Sequence, residues 1–153
     1  LGWWTMSDTQ KLNDLLHLAH TRVLNAEELE SLNALNGGLA ELLGLQFTHV
    51  GPREARAKLQ VRPEHHQPWG VANGGLYCSI AETVASIASV AAAGAPAVGV
   101  NNSSDFIRST GEGELEAVAT PVQLGSRTHL WSVEMLQGGK LIARTTLRTM
   151  ILS

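Results

Sequence analysis

Between Glu64 and Asp105 the sequence carries one acidic or basic residue, Glu82, set in the run QPWGVANGGLYCSIAETVAS at 67–86. Taking a carboxylate out of water costs several kcal/mol unless it finds partners, so a glutamate among small and apolar residues needs either partners or a task. Helical spacing puts Ser79, Glu82, Ser86 and Ser89 in one narrow sector and Leu76, Ile80, Val84 and Ile87 on the other side. Eight residues before Glu82, Gly74 and Gly75 open the helix, where backbone N–H groups are free to point at an anion or a polarised carbonyl. Glycine lets a ligand approach that backbone closely, and Gln67 places an amide on the loop leading in. A carboxylate, backbone donors and an amide are the parts needed to attack an acyl carbonyl and hold its oxyanion. A glutamate hydrogen-bonded to serines or to a second subunit for packing specificity would give the same pattern, and the residues alone leave both readings open.

The elements that must position these groups follow from periodicity. Asp8 to Leu24 has apolar residues at helical spacing, and Ala26 to Leu35 continues with helix formers. A short helix over 39–43 ends at Gly44. Alternation over 54–62 predicts a half-exposed strand stopped by Pro63, and 64–74 reads as a loop. The helix opened by Gly75 runs to about Ala93, where Gly94 and Pro96 stop it. Period two then predicts strands near 97–107, 113–124, 128–137 and 140–151, read as a four-strand meander. An apolar helix of that length is best buried by a sheet that wraps it. The class is therefore α+β, with an antiparallel curved sheet around a long central helix and an N-terminal helical extension. Residues 1–35 are read as an expression-tag remnant, with Met6 as the natural start, followed by the extension; 36–153 form the main domain.

Composition narrows the function. The 153 residues suit one core. A net charge of -3 and the lack of any basic run argue against nucleic acid. The apolar stretch 80–100 is broken by Glu82, serines and GAPAVG, a poor membrane span. One cysteine, Cys78, rules out an internal disulfide and a cysteine-based zinc site and fits a cytoplasmic location; it reads as a packed thiol. His65 and His66 lack neighbouring carboxylates, so no metal is expected. Charged residues are 16% of the chain, against about 25% in an ordinary domain, which favours extensive contacts between subunits.

Residues 36–152 resemble the hotdog-fold thioesterases of the phenylacetate-degradation and Arthrobacter-type 4-hydroxybenzoyl-CoA kind: a loop ending in paired glycines, an acidic residue eight positions on, then the strands. The resemblance implies an acyl-CoA thioesterase acting on an aromatic or medium-chain acyl group. Glu82 would be nucleophile or general base, the Gly74 N–H would polarise the carbonyl, Gln67 would assist there, and Ser86 would orient the carboxylate or water. Asn73 stands where the family often has His. Substrate contacts are implied for Asn73, Gly75, Trp69 and His66, and for Ser126, Arg127 and Thr128 in a turn that meets the coenzyme A nucleotide in relatives. No cofactor is implied, coenzyme A being part of the substrate. The partners implied are further copies of the chain, a homodimer or homotetramer with active sites at subunit interfaces. Two other functions share the fold. A hydratase or dehydratase needs a His with the carboxylate, but Pro68 occupies that position. A non-catalytic acyl-CoA binding protein would tolerate loss of Glu82.

Overall fold

In the computed structural model, which describes residues 4–153, helix α1 (Met6–Thr21) begins at a capping box. The Thr5 hydroxyl accepts from the Asp8 N–H, and the Asp8 carboxylate accepts from the Thr5 N–H at 3.0 Å. The helical pattern does not run through to Leu35. Arg22 is extended, and Asn25 caps a second helix, α2 (Ala26–Ala34), in a reciprocal box with Glu28. The Arg22 guanidinium donates to both Glu28 carboxylate oxygens, at 2.7 and 2.8 Å, and this pairing holds Glu28 down to about 2. Leu16 and Ala19 of α1 and Leu32 of α2 are buried in the same core as the rest of the chain.

A short helix α3 (Gly38–Leu43) ends at Gly44, whose left-handed backbone closes the helix. A strand absent from the sequence reading follows, β1 (Gln46–Val50), bulged between Phe47 and His49. The bulge breaks the alternation, so Phe47 and Val50 both turn inward and period two is lost. β2 (Ala55–Val61) alternates buried and exposed residues along its whole length, as the sequence predicts.

The central helix α4 (Gly74–Ala93) is capped by Asn73 and stopped by left-handed Gly94. β3 (Ala97–Phe106), β4 (Gly113–Leu124), β5 (Thr128–Gln137) and β6 (Lys140–Ile151) lie within a residue of their predicted spans. Their order corrects the meander. All six strands form one antiparallel sheet, β1-β2-β4-β5-β6-β3, so only β4, β5 and β6 run as a meander while β3 lies beyond β6 at the sheet edge.

Alanines 55, 57, 117 and 119 on β2 and β4 face the core, and Trp131, Val133 and Met135 of β5 fill it beside Leu147 of β6. The sheet covers α4 along Leu76, Ile80, Val84, Ala88 and Ala91. By length and composition α4 could cross a membrane, but half of its most apolar window is buried, as in a core helix. The sheet does not enclose it completely, and the helix face carrying Glu82 stays open.

Candidate active site

The loop after β2 is held in place before it reaches the helix. Buried His65 accepts the Arg62 N–H through Nδ1 at 3.0 Å and reaches the Leu43 carbonyl through Nε2 at 3.0 Å, so Nε2 carries the proton. Burial holds its pKa below the usual imidazole value, with Arg62 adding to the effect. His66, expected at the substrate, points its Nε2 at the Gly111 carbonyl, 2.7 Å away. The Gln67 side-chain oxygen accepts the Trp69 N–H and the Ala72 N–H donates to Thr110, so the loop arrives at Asn73 with its backbone bonded.

At the helix start, the two glycines differ. The Gly75 N–H donates to the Asn73 side chain at 2.7 Å and is therefore spent inside the chain, contrary to its expected role as a second donor. The Gly74 N–H has no acceptor among the described residues. A side chain at 74 would put its Cβ 2.2 Å from the Phe106 ring, so the helix can start beside β3 only as glycine. Gln67 and Gly74 line one cavity of about 250 Å3 with Tyr77, Phe106 and Arg108.

Glu82 is not the buried carboxylate its setting suggests: it is exposed, and the Ser86 hydroxyl donates to its Oε1 at 3.1 Å. β3 passes beside it at Gly99, where an added Cβ would lie 2.6 Å from that same oxygen. Glu82 and Ser86 line a second cavity, of about 230 Å3, with Leu32, Leu35, Phe47 and Ile87. Ser79 donates back to the Gly75 carbonyl, and Ser89 leaves the open seam altogether, buried against His129 and Thr149.

Gly74 and Glu82 belong to one helix, eight residues and therefore about 12 Å apart along its axis. Attack needs reacting atoms about 3–3.5 Å apart, so a carbonyl on the Gly74 N–H is out of reach of the same chain's Glu82. The Ser126, Arg127 and Thr128 turn is farther away. It joins β4 to β5 where the Arg127 carbonyl accepts the Ile151 N–H, at the sheet end beside the C-terminus of α4. Trp69 is 83% exposed and lines neither cavity. Among the described residues no three His, Cys, Asp or Glu side chains gather as a metal would need.

Sequence reasoning missed Gly99 and the contribution of the N-terminal helices to the Glu82 cavity. It also missed the buried Ser89, His129 and Thr149 cluster, which the inward phase of His129 with Trp131 and Val133 could have indicated. Trp131 is buried. Arg144 and Arg148 face outward, and Cys78 is a half-buried thiol.

A family model described as the thioesterase superfamily matches residues 70–143. Rv1847 of Mycobacterium tuberculosis, provisionally named an esterase, is 43% identical over 112 residues, spanning 69% of this chain and 80% of the relative. Its solved structure superposes with a TM-score of 0.74 at 41% identity, covering 74% of this chain and 95% of that one. The 1,4-dihydroxy-2-naphthoyl-CoA hydrolase of Escherichia coli K12 is 32% identical over 128 residues, 81% of this chain and 94% of its own length. The structure of thioesterase HI1161 from Haemophilus influenzae matches with a TM-score of 0.77 at 28% identity, covering 82% of this chain and 90% of that one.

Proposed function

The chain belongs to the thioesterase superfamily, and on that premise we propose that it hydrolyses an acyl-CoA to the free acid and coenzyme A in a site shared by two copies of the chain. Membership makes it a thioester hydrolase of the hotdog fold. The observation that carries the finer reading is an open Glu82, held by Ser86, on the same helix whose first N–H, at Gly74, is unengaged. A relative named as a CoA-ester hydrolase supports the coenzyme A part.

In this reading the Gly74 N–H, assisted by Gln67, receives the carbonyl oxygen and stabilises the oxyanion as it forms. Glu82 of a second copy attacks the carbonyl carbon, or takes a proton from a water that does, while the Ser86 hydroxyl steadies the carboxylate. The C–S bond breaks, coenzyme A leaves as thiolate, and water supplies the acid's second oxygen and the proton the thiolate takes up. No cofactor enters.

The second copy is required by the helix spacing and invited by the sheet edge. β3 has ten residues and, among the described residues, pairs only with β6, leaving one side of its backbone open. Val98, Val100, Phe106 and Ile107 along and just beyond it are exposed. Such an edge is normally covered, and a two-fold pairing of β3 with itself sets two α4 helices side by side in opposite directions. That brings the start of one helix toward the middle of the other. Trp69 and His66 then face the partner, Asn73 and Gly75 shape the donor site, and Ser126, Arg127 and Thr128 meet the nucleotide from a neighbouring copy, a tetramer if dimers pair again. The enzyme works in the cytoplasm, in keeping with its lone free thiol.

Thiol release from a panel of aryl- and fatty-acyl-CoA esters tests this. Turnover that falls at least about a hundredfold in Glu82→Gln, the size of one acid–base group's contribution, is the expected result. Wild-type rates in that variant, or binding without turnover, would sink the proposal; the latter would make the chain an acyl-CoA binding protein.

A further inference from the structure

The cavity beside Glu82 is built largely by the N-terminal helices. α1 contributes Leu12, α2 and the residue after it contribute Leu32 and Leu35, α3 contributes Ala40, and β1 contributes Phe47. Leu32 and Phe47 are buried and form the floor, while exposed Glu82 stands at the rim.

The polar donors around this space are already engaged. The Asn36 amide donates to the Leu45 carbonyl at 2.7 Å, the Thr83 hydroxyl to the Ser79 carbonyl at 2.8 Å, and the Ser86 hydroxyl to Glu82 itself. Among the described residues no Lys, Arg or His lines it. A group entering there meets hydrocarbon and one negative charge.

From this we infer that helices α1 to α3, together with Phe47 of β1 and the middle of α4, form the acyl chamber of the enzyme, one that selects an apolar, uncharged acyl group. Its size is set by a volume of about 230 Å3. That is room for one ring or a chain of medium length rather than a long fatty-acyl chain. The inference rests on the thioesterase reading and adds a substrate class to it. The carbonyl stays at the rim beside the carboxylate, and the chain or ring behind it displaces water from the leucines and phenylalanine, which is favourable in proportion to the apolar area covered. A terminal carboxylate would enter without a cation and against Glu82, and a hydroxyl would exchange water for a lining that is largely hydrocarbon.

The test is kcat/KM for acetyl-, butyryl-, octanoyl-, dodecanoyl- and phenylacetyl-CoA, with wild type, Ala40→Phe, Ala40→Leu and Leu35→Ala. Wild type is expected to be fastest near eight acyl carbons, whether chain or ring, with the octanoyl to phenylacetyl ratio separating the two shapes. A hydroxyl on the acyl group should cost about tenfold and a terminal carboxylate at least about a hundredfold. Ala40→Phe should lower the octanoyl to butyryl ratio at least tenfold, Ala40→Leu by a smaller factor in the same direction, and Leu35→Ala should raise the dodecanoyl to octanoyl ratio. Unchanged ratios in all three variants, with turnover intact, would overturn the chamber and leave the thioesterase reading standing. If no ester is cleaved at all, the reading falls, and melting with octanamide, an uncharged acyl probe, still reports on the chamber. A rise in Tm for wild type that Ala40→Phe abolishes supports it; no rise, or an equal one in both, overturns it.

Discussion

Two side-chain pairs on one helix, Glu82 with Ser86 and Ser89 with His129, show what makes a pair available for chemistry. The second is the tighter: the Ser89 hydroxyl lies 2.7 Å from His129 Nδ1 and 2.6 Å from the Thr149 hydroxyl, against 3.1 Å between Ser86 and Glu82. By hydrogen-bond geometry a serine against an imidazole is the better nucleophile and base. It is also sealed, with Ser89 at 0% and His129 at 4% exposure beneath β5 and β6. Glu82 and Ser89 leave the helix in nearly the same direction, seven residues or two turns apart. What separates them is that the sheet closes over the C-terminal half of α4 and leaves its middle open. Access decides which pair can meet a substrate.

The largest test of that contrast is Glu82→Gln, expected to lose at least about a hundredfold in kcat, or about 2.7 kcal/mol of transition-state stabilisation, with Tm unchanged. Thiol release and thermal melting together check it. Ser89→Ala should do the opposite. It strands the His129 nitrogen and the Thr149 hydroxyl in the core and should cost about 1–3 kcal/mol of stability by denaturant titration, with kcat retained. Equal damage to kcat from both changes would erase the distinction.

Gly99→Ala probes the wall beside the carboxylate. Its Cβ would overlap the Glu82 oxygen, so kcat should fall about tenfold, near 1.4 kcal/mol, while the octanoyl to butyryl preference stays as in wild type. Ser86→Ala, which leaves Glu82 in water but untethered, should lose only severalfold, since a single hydrogen bond contributes about 0.5–1.5 kcal/mol.

The smallest effect concerns pH and belongs to the sealed pair. Burial holds His129 below the ordinary imidazole pKa in the folded chain, as it does His65. The unfolded chain therefore binds protons first, and stability is fully present above about pH 6.5 and falls as the pH drops through the folded-state values. Urea midpoints at pH 7.5 and 5.5 should show this decline, flatter in His129→Gln; a midpoint that rises on acidification would contradict the burial argument.

Much of the scaffold was legible because its signals are local. β2 and the last four strands declare themselves by alternation, and α4 by its glycine and proline stops. β1 escaped because a bulge at 47–49 spoils the period. The position of β3 beyond β6 escaped because strand order is set by chain crossing, on which alternation is silent. In the site, Glu82, Gly74 and Ser86 were readable from type and spacing. The exposure of Glu82 was not, since an apolar neighbourhood in sequence does not reveal where a sheet ends. Gly75 was misread for a related reason: nothing in the pair of glycines says that Asn73 will claim the second N–H. The leucines of α1 and α2 looked like the face of an extension, and only folding brings them to the carboxylate.

The strand β3 is keyed to α4 on one side, by the Asn102 amide on the Cys78 carbonyl and by the space Gly99 leaves for Glu82. Its other side is an open backbone edge. With that edge engaged as proposed, the strand is a pleiotropic site in an evolving lineage. In the proposed pairing of copies along 97–106, drift that retunes that contact also shifts the wall of the carboxylate, and changes that refine the carboxylate's surroundings alter the edge. Mutations there pass two filters at once, whereas those in the chamber of the N-terminal helices pass one. Divergence in substrate should therefore accumulate in α1 to α3 while the edge strand changes slowly.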